Sequence, residues 1–213
     1  MILAAGRGER LMPYTQRIPK PLLMVHGISL LERNINALYG SGIREIVINT
    51  SWLGSQIQDF VTQLDLPGLR ILCVHEGEIP LGTGGGIFNA LNHFQDEPFW
   101  VINADIITGY PFAPIVLTEN SLAHLVLVSN PDHNEGGDFG LDGDQVLNES
   151  SQMHTFSGIS CLSPDIFQGV NQSIFSLAQL LRKFSGLGLV KGELFLGKWF
   201  DVGTIDRLNK ADD

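Results

Sequence analysis

Apolar residues recur along this chain in two rhythms. Short runs rich in apolar residues at 45–49 (EIVIN), 70–74 (RILCV), 99–103 (FWVIN), 122–129 (LAHLVLVS) and 155–162 (TFSGISCL) read as strands. Between the earlier runs the spacing lengthens to three and four. Leu30, Leu31, Ile35 and Leu38 fall on one helical face, and Ser29-Leu30-Leu31-Glu32 is a capping box that opens this helix. Gly40 and Gly42 close it. Residues 55–64 (SQIQDFVTQL) repeat the helical pattern as far as Pro67-Gly68. Residues 76–86 read as a Gly-rich loop, and a helix over 87–94 follows it. Strands alternating with helices predict an α/β protein with a mostly parallel sheet.

The second half changes character. Residues 130–137 (NPDHNEGG) are turn-rich, and residues 138–141 and 145–147 read as a hairpin through Asp142-Gly143. Ser176-Leu177-Ala178-Gln179 opens another capped helix that ends near Phe184. A strand pair, the turn Trp199-Phe200-Asp201-Val202-Gly203-Thr204 and a short last helix complete the pattern. There is no internal repeat, low-complexity tract or linker. We therefore expect one domain over residues 1–213, subdivided near residue 105 into halves 1–105 and 106–213.

Charge singles out the opening stretch. The net charge is −10, which argues against nucleic acid as a partner. No Lys or Arg occurs between Arg70 and Arg182, while Arg7, Arg10, Arg17 and Lys20 crowd the start. There the short apolar strand Met1-Ile2-Leu3 runs into Ala4-Ala5-Gly6-Arg7-Gly8-Glu9-Arg10, and Pro19-Lys20-Pro21 follows. A strand entering a small-residue loop aims backbone N–H groups and cations at one spot, which suits a polyphosphate. No run is long enough to span a membrane, and no leader is visible. Cys73 and Cys161 sit far apart in apolar runs and read as reduced core residues of a cytoplasmic protein.

Two familiar phosphate motifs fail on inspection. Gly6-Arg7-Gly8 lacks the third glycine of a dinucleotide fingerprint, since position 11 is Leu, and the next strand ends in Asn49-Thr50 rather than an acid. Gly192 to Lys198 resembles a P-loop, but Trp199 occupies the place of the metal-binding hydroxyl. The histidines have no metal-ligand spacing, and Ser157-Gly158 lies in no nucleophile elbow. Residues 81–86 (LGTGGG) hold four glycines in six, which permits close backbone approach to a flat or anionic group. Asp105 ends a buried strand and Asp201 lies in a late turn. Ligands of open α/β sheets sit at carboxyl ends of strands, and two carboxylates there would suit Mg²⁺ together with substrate phosphates.

These elements together resemble a known family. LAAGRGERLMPYTQRIPKPL looks like the signature of the sugar-1-phosphate nucleotidyltransferases, and Leu81-Gly82-Thr83-Gly84-Gly85, Asn103-Ala104-Asp105 and Phe200-Asp201-Val202-Gly203-Thr204 match further elements. The stretches NTSWLG, LGTGGGIFNAL, GGDFGL and HTFSGIS resemble most the N-acetylmuramate α-1-phosphate uridylyltransferases of bacterial cell-wall recycling. The resemblance covers essentially the whole chain. It implies a Rossmann-like three-layer nucleotidyltransferase fold with a mixed, mostly parallel central sheet. It further implies that Ala4, Ala5 and Gly6 contact the nucleotide and that Gly82, Thr83 and Gly85 line the base pocket. Arg10 and Lys20 would be catalytic, Asp138 and Asn148 would face the sugar, and Asp105 and Asp201 would hold Mg²⁺. The implied partners are UTP and a sugar 1-phosphate, joined to a UDP-sugar with release of pyrophosphate. Alternatives are a guanylyl- or thymidylyltransferase acting on a hexose 1-phosphate, or a silent nucleotide-sensing domain. Two positions depart from the pattern: Met12 stands where many relatives have a cation, and Gly82 where some muramate-type relatives have an acid.

Overall fold

The computed structural model describes residues 1–114, 117–171 and 173–212. In chain order the strands and helices begin with β1 (Ile2–Leu3), β2 (Met24–Val25), β3 (Ile28–Ser29) and α1 (Leu30–Gly40). Next come β4 (Glu45–Thr50), α2 (Gly54–Thr62), β5 (Arg70–His75), α3 (Gly82–Ala90), β6 (Phe99–Asn103) and β7 (Ile106–Thr108). The remainder is β8 (Ala123–Val128), β9 (Phe139–Asp142), β10 (Gln145–Leu147), β11 (Met153–Leu162), α4 (Leu177–Ser185), β12 (Val190–Leu194), β13 (Trp199–Asp201) and α5 (Ile205–Asp212). The fold is α/β with a mixed sheet. Contacts divide the chain into two units, each assembled from separate stretches. One is Met1–Leu81, Ile102–Ala113 and Lys198–Asp213, and the other is Gly82–Val101 and Pro114–Gly197.

In the first unit every main-sheet pairing is parallel. Ile2 of β1 pairs with Ile48 of β4 and with Ile102 of β6, so the shortest strand is central. β5 adds to β4 in register from Glu45↔Arg70 to Thr50↔His75. Parallel strands present their carboxyl ends at one edge, so Ala4, Ser51, Glu76 and Ala104 all leave the sheet on the same side. The capping box holds as read: the Ser29 hydroxyl accepts from the Glu32 N–H at 3.1 Å. A core of Leu11, Leu23, Val25, Leu30 and Val202, with Ile205 and Leu208 packed against it, ties the opening stretch to the last helix.

The second unit is mainly antiparallel. β11 pairs with β8 and, through Met153 and His154, with β9; β8 pairs in parallel with β12, and β10 joins β12 to β9. The hairpin forms where expected, with Gln145 opposite Asp142 and Gly143 at φ +59° in the turn. Two expectations are corrected. Only one strand, β12, follows α4 before residue 199, and β13 pairs with β7 instead, from Trp199↔Thr108 to Asp201↔Ile106. Helix α3 begins at Gly82, inside the stretch read as a loop, because tertiary contacts override the poor helix propensity of its glycines.

Those contacts come from Phe175. Its carbonyl accepts from the N–H groups of Gly84 (3.0 Å) and Gly85 (3.2 Å), and the Thr83 hydroxyl accepts from the Leu177 N–H at 2.8 Å. A Cβ on Gly84 would clash with the edge of the Phe175 ring and lie 3.0 Å from the Leu177 nitrogen. Gly→Ala in an exposed helix gains about 1 kcal/mol. Here overpacking costs about 1–3 kcal/mol and reverses the sign. Gly84→Ala therefore lowers the unfolding free energy by up to about 2 kcal/mol, read as a lower urea midpoint at constant slope.

Both cysteines are free. Burial pushes the Cys161 thiol up to about 12 and raises that of Cys73, which makes neither a nucleophile at neutral pH. No described helix is long and apolar enough to cross a membrane.

Candidate active site

The loop after β1 is shaped by side chains that leave its outer surface clear. Gly8 adopts φ +65°, and a Cβ there would meet the Thr15 methyl at 2.8 Å and Lys20 Cβ at 3.1 Å. Buried Thr15 donates its hydroxyl to the Gly8 carbonyl at 2.8 Å, and Trp52 Nε1 donates to the Thr15 carbonyl at 2.9 Å. The Arg7 guanidinium lies over the Trp52 ring at 5.5 Å. Gly6 differs from Gly8. A Cβ on it would meet nothing within 4 Å, so protein packing gives no reason for a glycine there. Close approach by a ligand does.

This loop lines a cavity of about 710 Å³ together with Lys20, Ile79, Pro80 and Gly203, and Arg7 and Arg10 supply two further cations to its wall. Ala4 and Ala5 are buried beneath it. The Ala4 N–H donates to Asn49 Oδ1 at 2.8 Å, and Gly6 is the first residue of the loop on the cavity wall. Asn49 in turn donates to Glu76 Oε1 at 2.6 Å, and Glu76 Oε2 accepts from the Leu81 N–H at 2.9 Å. One relay thus joins the ends of β1, β4 and β5 and sets the 76–81 loop. Asn49, Glu76, Ile79 and Pro80 were not singled out from sequence. The signal available was only that Asn49 and Glu76 sit at strand ends.

Lys20 Nζ is paired with Asp105 Oδ2, both partly shielded from solvent. Asp105 and Asp201 come together through backbone: Asp201 is paired with Ile106, and the Val202 N–H donates to the Asp105 carbonyl at 2.9 Å. Asp201 is bridged by Arg207, whose Nη1 lies 2.9 Å from each carboxylate oxygen. Among the described residues no group of three or more His, Cys, Asp or Glu is placed to hold a metal ion. Mg²⁺ takes one or two protein carboxylates and completes its shell from water and substrate phosphates, and Asp105 and Asp201 are the two carboxylates here that could supply them, each now paired with a cation.

The remaining expected residues lie in the second unit. Gly82 and Thr83 are exposed, whereas Gly85 is buried with its N–H on Phe175. Gly82 stands at φ +75°, and a Cβ on it would lie 2.6 Å from the Phe175 carbonyl oxygen, so no side chain fits there. Asp138 Oδ2 accepts from the Phe156 N–H (2.8 Å) and from Asn134 Nδ2 (3.1 Å). Asn148 Nδ2 donates to the Arg182 carbonyl at 2.9 Å, while its Oδ1 is buried with no donor among the described residues. The hairpin register, Leu147 opposite Gly140, puts Asn148 and Asp138 at the same open end.

The family model described as nucleotidyl transferase matches residues 1–157. The N-acetylmuramate α-1-phosphate uridylyltransferase of Neisseria meningitidis serogroup B is 41% identical over 99% of this chain and 95% of its own length. A probable mannose-1-phosphate guanylyltransferase of Oryza sativa is 34% identical over 54% of this chain and 33% of its own length. Among solved structures, HddC from Yersinia pseudotuberculosis complexed with GMP-PN superposes with a TM-score of 0.81 at 26% identity, covering 99% of this chain and 96% of that one. The strand-end cavity, its cations and the extent of these matches lead to one conclusion: the chain belongs to the sugar-1-phosphate nucleotidyltransferase family.

Proposed function

We propose that the chain joins UTP to N-acetylmuramate α-1-phosphate, giving UDP-N-acetylmuramate and pyrophosphate, as a cytoplasmic step of peptidoglycan recycling. The observation that carries this reading is the opening-loop cavity, with Gly6, Arg10 and Lys20 on its wall and Lys20 held by Asp105. The whole-length likeness to a uridylyltransferase supports the choice of base and sugar.

In this reading an oxygen of the sugar phosphate attacks the α-phosphorus of UTP. The new P–O bond forms as the bond to the bridging oxygen breaks, and pyrophosphate leaves with that electron pair. A phosphate monoester has its second pKa near ~6, so the nucleophile is already ionised at pH 7 and no side chain must take a proton. What the protein must do is hold two anions in line. Arg10 is assigned to the β- and γ-phosphates and Lys20 to the transferring group, where it offsets charge as it shifts toward the leaving oxygen. Ala4 fixes the loop through Asn49, and Ala5 and Gly6 bring backbone against the phosphates. Asp105 and Asp201 are assigned to Mg²⁺, which when bound supplies charge neutralisation and Lewis-acid polarisation at phosphate oxygens. Gly82 and Thr83 are assigned to the base pocket, with Gly85 as the packing residue behind them. Asp138 and Asn148 are assigned to the sugar; the unpaired Asn148 Oδ1 is an acceptor that a sugar hydroxyl or amide N–H can satisfy.

A second reading, a guanylyltransferase acting on a hexose 1-phosphate, draws on the likeness to HddC complexed with GMP-PN. Pyrophosphate release from UTP, GTP and dTTP, each paired with N-acetylmuramate, glucose and mannose 1-phosphates, separates the two. UTP with N-acetylmuramate α-1-phosphate should lead in kcat/KM by at least about tenfold. GTP leading with a hexose 1-phosphate establishes the second reading. UTP binding without turnover of any pair identifies a nucleotide-sensing domain.

A further inference from the structure

Arg207 belongs to none of the sequence motifs, yet its guanidinium lies against Gly203. Gly203 lines the opening-loop cavity. A Cβ on Gly203 would collide with the Arg207 guanidinium and lie 3.4 Å from Arg10 Nη2. Two guanidinium groups therefore flank the same missing side chain. Arg207 is 12% exposed, and its Nη1 bridges both oxygens of Asp201. Its Nε is buried and has no hydrogen-bond partner among the described residues. A guanidinium carries five N–H donors, and a buried donor left without an acceptor costs about 1–3 kcal/mol. A second guanidinium beside it adds repulsion. An oxyanion entering next to Gly203 would offer an acceptor to the Nη2 groups of both arginines and offset their mutual repulsion.

We propose that Arg207 is a further phosphate-binding residue of the triphosphate subsite, held in place by Asp201 and shared with Arg10 across Gly203. This rests on the nucleotide reading of the cavity. Arg207 contributes to the phosphates distal to the nucleoside, so it should distinguish UTP from UMP. The neighbouring Asp201 keeps the guanidinium oriented when no nucleotide is present, which is why the side chain stays against Gly203 rather than extending into solvent.

The test is calorimetric binding of UTP and UMP in EDTA, without metal or turnover, to the wild type, Arg207→Met and Arg207→Lys. Arg207→Met should weaken UTP about tenfold and leave UMP within about twofold, as expected for loss of one charge-assisted contact. Arg207→Lys should recover part of the UTP loss, because charge returns without the planar fork. If Arg207→Met misfolds, Arg207→Gln replaces it with the same expectations. Unchanged affinity for both nucleotides, or equal loss of both, overturns the proposal and leaves Arg207 as a structural partner of Asp201. Failure of the wild type to bind UTP refutes the nucleotide reading of the cavity itself, a result distinct from a failure specific to Arg207.

Discussion

Lys20→Ala lowers the maximal rate of pyrophosphate release by about 10²–10³-fold, the usual effect of losing one preorganised group that stabilises transition-state charge. The fold survives the change. The Lys20 side chain is mostly shielded but is bounded by Pro19 and Pro21, and the turn is held by main-chain bonds from Leu22 N–H to the Pro19 carbonyl (2.8 Å) and from Leu23 N–H to the Lys20 carbonyl (3.1 Å). The Asp105 carboxylate left behind is 23% exposed and can be hydrated. The melting temperature should therefore stay within a few degrees, roughly the shift that about 1 kcal/mol produces. A second signature follows from the pair. Lys20 competes with any cation for Asp105, so the variant should need less Mg²⁺ for half-maximal rate even as that rate falls. A steady-state Mg²⁺ titration measures both. Near-wild-type turnover removes Lys20 from the reaction.

Asp105→Asn gives the opposite pattern. Turnover should fall by about 10³-fold or more, and the Mg²⁺ concentration for half-maximal rate should rise at least about tenfold, because one of the two carboxylates assigned to Mg²⁺ becomes a neutral amide. Lys20 loses its partner but remains partly exposed, so the stability loss is small and of the order of a partly buried ion pair, about 1 kcal/mol. The two substitutions touch one pair, so their effects on rate should not add in the double variant. Unchanged metal dependence in Asp105→Asn excludes Asp105 as a ligand.

Features that rest on neighbours in sequence are legible from the residues alone. The Ser29 cap depends on Glu32, three residues away, and the hairpin depends on the two-residue turn after Asp142. The runs rich in apolar residues become β4, β5 and β8. The opening loop is legible for the same reason, since Gly6, Gly8, Arg10 and Lys20 lie within one short contiguous stretch. The start of helix α3 is misread because glycine propensity is a local quantity. That start is decided by the Phe175 carbonyl, far along the chain, accepting from Gly84 and Gly85. The strand pair expected after α4 fails likewise, since the true partner of β13 is β7.

By itself, then, the sequence determined the alternating α/β pattern, a cation-bearing glycine loop after the first strand, and the types of side chain that phosphate and metal chemistry require. Tertiary structure alone decided which of them meet. Antiparallel pairing of β13 with β7 carries Asp201 to the side of Asp105 and brings Gly203, with Arg207 against it, to the cavity. The Ala4–Asn49–Glu76–Leu81 relay exists only because parallel strands end at one edge. The physical reason is common to both. Local propensities and turn chemistry act over a few residues, whereas strand pairing and burial select partners across the whole chain, and the candidate site is built from such long-range choices.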